Sequence, residues 1–225
     1  MKDKIQLNVL IACEESQAET IAFRNLGHNA FSCDLQPCRK GTPEEWHIVG
    51  DVSPLLKGET HFTTQDGSKK SVHHWDLIIA HPPCTYLCKV SLVHMKKNGI
   101  IQKDRYEKMI KAREFFYECL NANSYYVAVE NPLPMSIAKL PKPSCFIQPS
   151  WFGVKYTKKT LFWLKNLPPI LPKIIYPNPK EFVRASRGKY RSRTFPQVAQ
   201  AIATQWSDYI IKQLNLKNRN YEKNT

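Results

Sequence analysis

A thiol and a carboxylate stand at matching places in two apolar segments of this chain. Residues 77–80 (LIIA) form an unbroken apolar run, and His81, Pro82, Pro83 and Cys84 follow it directly. Such a run predicts a strand buried on both faces, as in the middle of a parallel sheet. The two prolines fix φ and supply no N–H, so no helix can start on the strand end. Cys84 is therefore expected at the tip of a rigid, extended turn. Residues 125–129 (YYVAV) predict a second buried strand, and Glu130, Asn131 and Pro132 come next. In open α/β sheets, ligands bind beyond the carboxyl ends of the strands. A free cysteine is by itself most often a small buried hydrophobe. A thiol and a carboxylate sharing one crevice point to chemistry more strongly than either alone.

The elements that must position these two groups can be read on either side of them. Residues 7–12 (LNVLIA) predict a first strand, and residues 13–17 (CEESQ) turn into a helix over 18–26. Ile21, Ala22 and Leu26 give that helix its apolar spacing, and Gly27 supplies the left-handed stop. A strand over 29–33 ends in Asp34, and a short strand or turn over 46–52 ends near Asp51. Residues 57–74 are polar and predict a surface excursion. Residues 88–103 show no period and predict a mobile loop beside the site. A helix over 104–121 carries Met109, Ile110, Ala112, Phe116 and Leu120. A late strand is expected over 160–164 (TLFWL). Residues 167–179 contain five prolines and must be largely extended. A closing helix over 195–214 presents Val198, Ile202, Trp206, Tyr209, Ile210 and Leu214, and 217–225 reads as a disordered polar tail. Strands alternating with helices define an α/β fold, a mostly parallel sheet with helices on both faces. In it, Asp34, Cys84 and Glu130 would line one edge.

The chain has 225 residues and a formal charge of +14, with a pI near 9.5. That excess favours a polyanionic partner, most simply nucleic acid. The charge is concentrated late. Between 165 and 193, Lys165, Lys173, Lys180, Arg184, Arg187, Lys189, Arg191 and Arg193 face the single acid Glu181. Such a segment can contact phosphates but has little framework for reading bases. The seven cysteines have no disulfide-framework spacing, and no paired Cys or His motif predicts a metal. No signal-peptide pattern opens the chain, and no apolar run approaches the roughly 20 residues that span a bilayer. The expectation is a cytoplasmic protein with reduced thiols, no metal and no membrane partner.

In its order of segments the chain resembles the DNA cytosine-5 methyltransferase family over about residues 7–206. Pro82-Pro83-Cys84 matches that family's nucleophile motif. Glu130-Asn131 matches its Glu-Asn-Val motif, with Pro132 in place of Val. Phe152-Gly153-Val154, followed by Lys158, Thr160 and Phe162, resembles a Tyr-Gly-Val segment leading into an Arg-x-Arg strand. Residues 195–203 (FPQVAQAIA) resemble the closing helix that returns to the cofactor. The resemblance implies a Rossmann-like S-adenosylmethionine-dependent fold and base flipping. It makes Cys84 the nucleophile that adds at C6 of cytosine, Glu130 the group on the base edge, and Lys158 a partial stand-in for arginine. S-adenosylmethionine is the implied cofactor, with Ala12, Cys13, Glu14, Asp34, Asp51 and Pro82 around it. DNA is the implied partner, with Asn131, Lys159, Arg184, Arg187, Arg191 and Arg193 as contacts.

Two departures from the family stand out. The first turn, Ala12-Cys13-Glu14-Glu15-Ser16, has none of the family's glycines, and glycine is the usual residue for close approach to a ligand. The long target-recognition region is reduced to a basic insertion at about 165–193, within a single domain spanning 1–216. Two alternatives follow: a catalytically lapsed relative that still binds DNA, or an amino-group methyltransferase acting on N4 of cytosine or N6 of adenine. Cys84 stands where the latter class has an aromatic residue.

Overall fold

A computed structural model describes residues 5–182 and 193–223. Unbroken apolar runs build a sheet buried on both faces. Its strands are β1 (Asn8–Ala12), β2 (Asn29–Asp34), β3 (His47–Val49), β4 (Leu77–Ala80), β5 (Tyr126–Asn131), β6 (Cys145–Ile147) and β7 (Thr160–Lys165). They lie in the order β3-β2-β1-β4-β5-β7-β6. The first five run parallel, and β7 runs antiparallel to both of its neighbours. The helices are α1 (Ala18–Asn25), the short α2 (Ser53–Leu56), α3 (Lys103–Leu120) and α4 (Pro196–Lys223). This is the expected mostly parallel, Rossmann-like α/β fold, and the topological switch point falls between β1 and β4.

The strand period of two sorts side chains into two cores. Leu10, Ile78 and Val127 join α3 through Met109 and Phe116 on one face. Val9, Ile11, Leu77, Ile79 and Ala128 join α1 and α4 on the other, through Phe23, Ile202 and Trp206. All four residues of β4 are fully buried, as a central parallel strand requires. Trp163 meets Phe116 edge-on at 5.0 Å, and Phe162 meets Trp206 edge-on at 5.7 Å, so β7 is pinned from both sides.

Several expectations need correction. The polar stretch over 57–74 is not mere surface. It forms a hairpin, His61–Thr63 with Lys69–Ser71, whose Phe62 ring lies 4.8 Å from Phe31 and 5.6 Å from Trp75. Alternation over so few residues was hidden by the lysines around it. Residues 88–103 are also structured, as a 3-10 segment (Lys89–His94) and a small hairpin of Lys96–Lys97 with Ile100–Ile101. The closing helix continues to Lys223, into the stretch read as a tail. Among the described residues no helix is long and apolar enough to cross a membrane.

Candidate active site

Five parallel strands present their carboxyl ends on one edge, where Asp34 ends β2, the turn to Cys84 follows β4 and Glu130 lies near the end of β5. The turn after β1 has no glycine, yet it makes the backbone bend that glycine would allow. Cys13 has φ 61° and Gln17 φ 54°. Both lie in the left-handed region that costs an ordinary residue strain. The Cys13 and Glu14 amides both donate to Cys33 O, at 2.7 and 3.3 Å, and Ala12 O accepts from the His81 amide at 2.9 Å. These groups are therefore engaged within the protein. The Glu14 carboxylate turns inward rather than toward a ligand. It accepts the Glu19 amide at 2.7 Å, the Thr20 amide at 3.3 Å and the Thr20 hydroxyl at 2.8 Å. It thereby serves the orphan donors at the start of α1 from outside the helix.

Asp34 ends β2, and its Oδ1 accepts the Gln36 amide at 2.9 Å. Asp51 Oδ1 accepts the Ser53 amide at 3.0 Å at the entry to α2. Both carboxylates also face the first turn electrostatically. Burial, then the charges of neighbours including Asp34 and Asp51, push the Cys13 thiol far above its ordinary value, and burial first, then the same two acids, raise Cys33 to about 12. An acidic rim around a left-handed turn suits a cationic sulfonium ligand with ribose hydroxyls better than a phosphate.

Beyond β4, Pro82 is buried and its carbonyl accepts Asn131 Nδ2 at 2.9 Å. Asn131 is itself fully buried, which corrects its assignment as a DNA contact. Its amide holds the Pro-Pro turn against the end of β5. Cys84 is half-buried at the tip, where its carbonyl accepts the Leu87 and Cys88 amides, each at 3.0 Å. That single helical turn brings Cys88 back against Cys84. Each thiol acts on the other's proton, and Cys88 Sγ lies 3.2 Å from Ser91 Oγ. The Cys84 neighbour lowers the Cys88 thiol to about 5, against burial and with help from Ser91 and the backbone of Val90. The pairing with Cys88, then burial, then the charges of Cys88 and Glu130, push Cys84 far above its ordinary value. Of the two, Cys88 is the thiol that ionises more readily.

Glu130 sits at the end of β5, beside β4 in the sheet. Burial would raise its carboxyl, but a hydrogen bond from His81, the His81 charge and Lys158 overcome this and hold it below the ordinary carboxylate value. Lys158 enters from the lead into β7 and donates to Arg193 O at 3.4 Å. Glu130, Lys158 and Arg193 line one pocket with Glu19, Thr160 and Phe195. Cys84 is not part of that pocket's wall, and it meets Glu130 through charge. Lys159 is exposed, with its ammonium 4.7 Å over the Phe146 ring. Arg184, Arg187 and Arg191 lie outside the described residues.

Two residues of the site were missed in the sequence. His81 lies between Glu130 and Glu19, within 3.2 and 3.3 Å of their carboxylates. Its signal was available, because it is the first polar residue after the buried strand. Glu19 had none, since an acid in a helix's first turn is ordinary.

No model of a known protein family matches the sequence, and no curated protein matches it. Among solved structures, the chain is similar to a candidate DNA modification methyltransferase encoded within an E. coli prophage. The two share 15% identity and a TM-score of 0.43, over 76% of this chain and 52% of the other. The chain thus spans about half the length of that protein.

Proposed function

We propose that this chain is an S-adenosylmethionine-dependent DNA methyltransferase that forms 5-methylcytosine through a covalent bond between Cys84 and C6 of a flipped cytosine. One observation carries the reading. The turn carrying Cys84 follows β4 and Glu130 lies near the end of the adjoining parallel strand β5, next to the sheet's switch point, and Lys158 lines one pocket with the carboxylate.

Cytosine C5 is a poor nucleophile. Addition of sulfur at C6 makes the ring an enamine, and its C5 becomes reactive. Cys84 gives up its proton to water, its sulfur forms the bond to C6, and the C5–C6 π electrons move into the ring as the enamine. Glu130 meets the polar edge of the ring, where charge changes during the addition, and Lys158 offsets negative charge nearby. When bound, S-adenosylmethionine supplies an electrophilic methyl group for C5. Loss of the C5 proton and cleavage of the S–C6 bond then return Cys84. The base must leave the stack to reach a thiol held on a rigid turn. The +14 charge suits a DNA partner.

The test is product analysis. DNA incubated with the protein and S-adenosylmethionine, then hydrolysed to nucleosides, should contain 5-methylcytosine. Cys84→Ser should abolish it while cofactor binding persists, and 5-fluorocytosine DNA should trap the wild type through Cys84. Formation of N4-methylcytosine or N6-methyladenine, or normal turnover by the serine variant, would overturn the proposal.

A further inference from the structure

The Glu130 carboxylate is held from one side by a ring that the proposed chemistry does not use. His81 Nδ1 is 3.2 Å from Glu130 Oε2, and His81 Nε2 is 3.3 Å from Glu19 Oε2. The Glu19 side chain is fully buried, and that of His81 is only 14% exposed. A neutral imidazole has one N–H and one lone pair, so it would attract one carboxylate and repel the other. Both contacts are attractive when both ring nitrogens carry protons. The ring is also fixed through the backbone. The His81 amide donates to Ala12 O at 2.9 Å, and the next residue, Pro82, is held by Asn131.

We infer that His81 is a positioning residue: its protonated ring orients the Glu130 carboxylate toward the base and ties it to Glu19 in the first turn of α1. The inference rests on the methyltransferase reading above. Its consequence is a direct link between the two halves of the site. The turn after β1, which carries the candidate cofactor residues, leads into α1. The ring that follows β4 therefore joins the cofactor side to the base side.

The groups facing His81 explain why its charge persists. Glu19 faces it from α1 with Glu14 behind, and Glu130 faces it from β5 with Lys158 beyond. Burial would strip the proton, but Glu19 first and Glu130 with it raise the imidazole well above its ordinary value. The two carboxylates, at 3.2 and 3.3 Å, both favour the charged ring.

The experiment compares wild type, His81→Ala and His81→Asn by NMR and by kinetics. In wild type near neutral pH, the His81 ring nitrogens should show imidazolium shifts. The Glu130 carboxyl should titrate below the usual glutamate range, and in His81→Ala it should move up by about one unit or more. The alanine variant should lose about 10- to 100-fold in kcat, the scale of a misplaced reacting group, with little change in KM for S-adenosylmethionine. His81→Asn, whose amide can still donate to Glu130, should recover part of the rate, and it carries the same titration if the alanine variant does not fold. A neutral ring, with Glu130 titrating alike in all three proteins, would overturn the inference. Absence of 5-methylcytosine from the wild-type reaction would instead remove the methyltransferase reading, while the titrations still decide the hold of His81 on Glu130.

Discussion

Asn131 Nδ2 donates to Pro82 O at 2.9 Å, joining the residue after Glu130 to the turn that carries Cys84. One buried amide thus sets the distance between the two groups proposed to act on the base. Asn131→Ala should cost about 1–3 kcal/mol of stability, the range for breaking a buried hydrogen bond. It should also slow trapping of Cys84 by 5-fluorocytosine DNA more than it weakens cofactor binding. Urea unfolding and adduct formation measure the two effects. A stability loss with unchanged trapping would confine Asn131 to folding.

The sulfur pair predicts an order of alkylation. Because its neighbours lower Cys88 and raise Cys84, iodoacetamide near neutral pH should modify Cys88 before Cys84. Cys88→Ala removes the neighbour that raises Cys84, so Cys84 labelling should accelerate. Peptide mass spectrometry over time reads both rates. Faster labelling of Cys84 in wild type would reverse the order of the two thiols.

Glu14 predicts a pH dependence of stability. Burial first, then the charge of Glu19, raise its carboxyl from 4.5 to about 7. A raised folded value means its contribution is fully present below the unfolded pKa and is lost as pH rises toward and through 7. Glu14→Gln cannot ionise and should flatten the fall in Tm across that window, while still offering an oxygen to the start of α1. Parallel Tm profiles for wild type and variant would show that Glu14 does not titrate there.

The basic interval predicts salt-sensitive binding with a short or relaxed target. Neutralising Arg184, Arg187 and Arg191 together should weaken binding to all DNA sequences about equally and flatten the dependence on salt. Binding titrations at several salt concentrations test the charge. Bisulfite sequencing of DNA from expressing cells tests specificity, and methylation confined to one long site would contradict a relaxed target.

Local chemistry alone determined much of this protein. The buried run over 77–80 had to be a central strand, because four successive apolar side chains point to both faces. Pro82 and Pro83 had to keep Cys84 out of a helix, whatever surrounds them. The alternation of strands and helices implied a parallel sheet with Asp34, Cys84 and Glu130 on one edge. What depends on contacts between distant segments was not legible. Nothing in residues 13–17 says that Cys13 takes a left-handed conformation, since φ there is imposed by the bonds to Cys33. Asn131 beside Glu130 looked like a DNA contact until the β4–β5 pairing turned its amide onto Pro82. His81 and Glu19 are 62 positions apart and become partners only when α1 and the end of β4 meet at the switch point. The charge states of Cys84, Cys88, Glu14 and Glu130 belong to that assembly too, because burial and neighbouring charge act through space rather than along the chain.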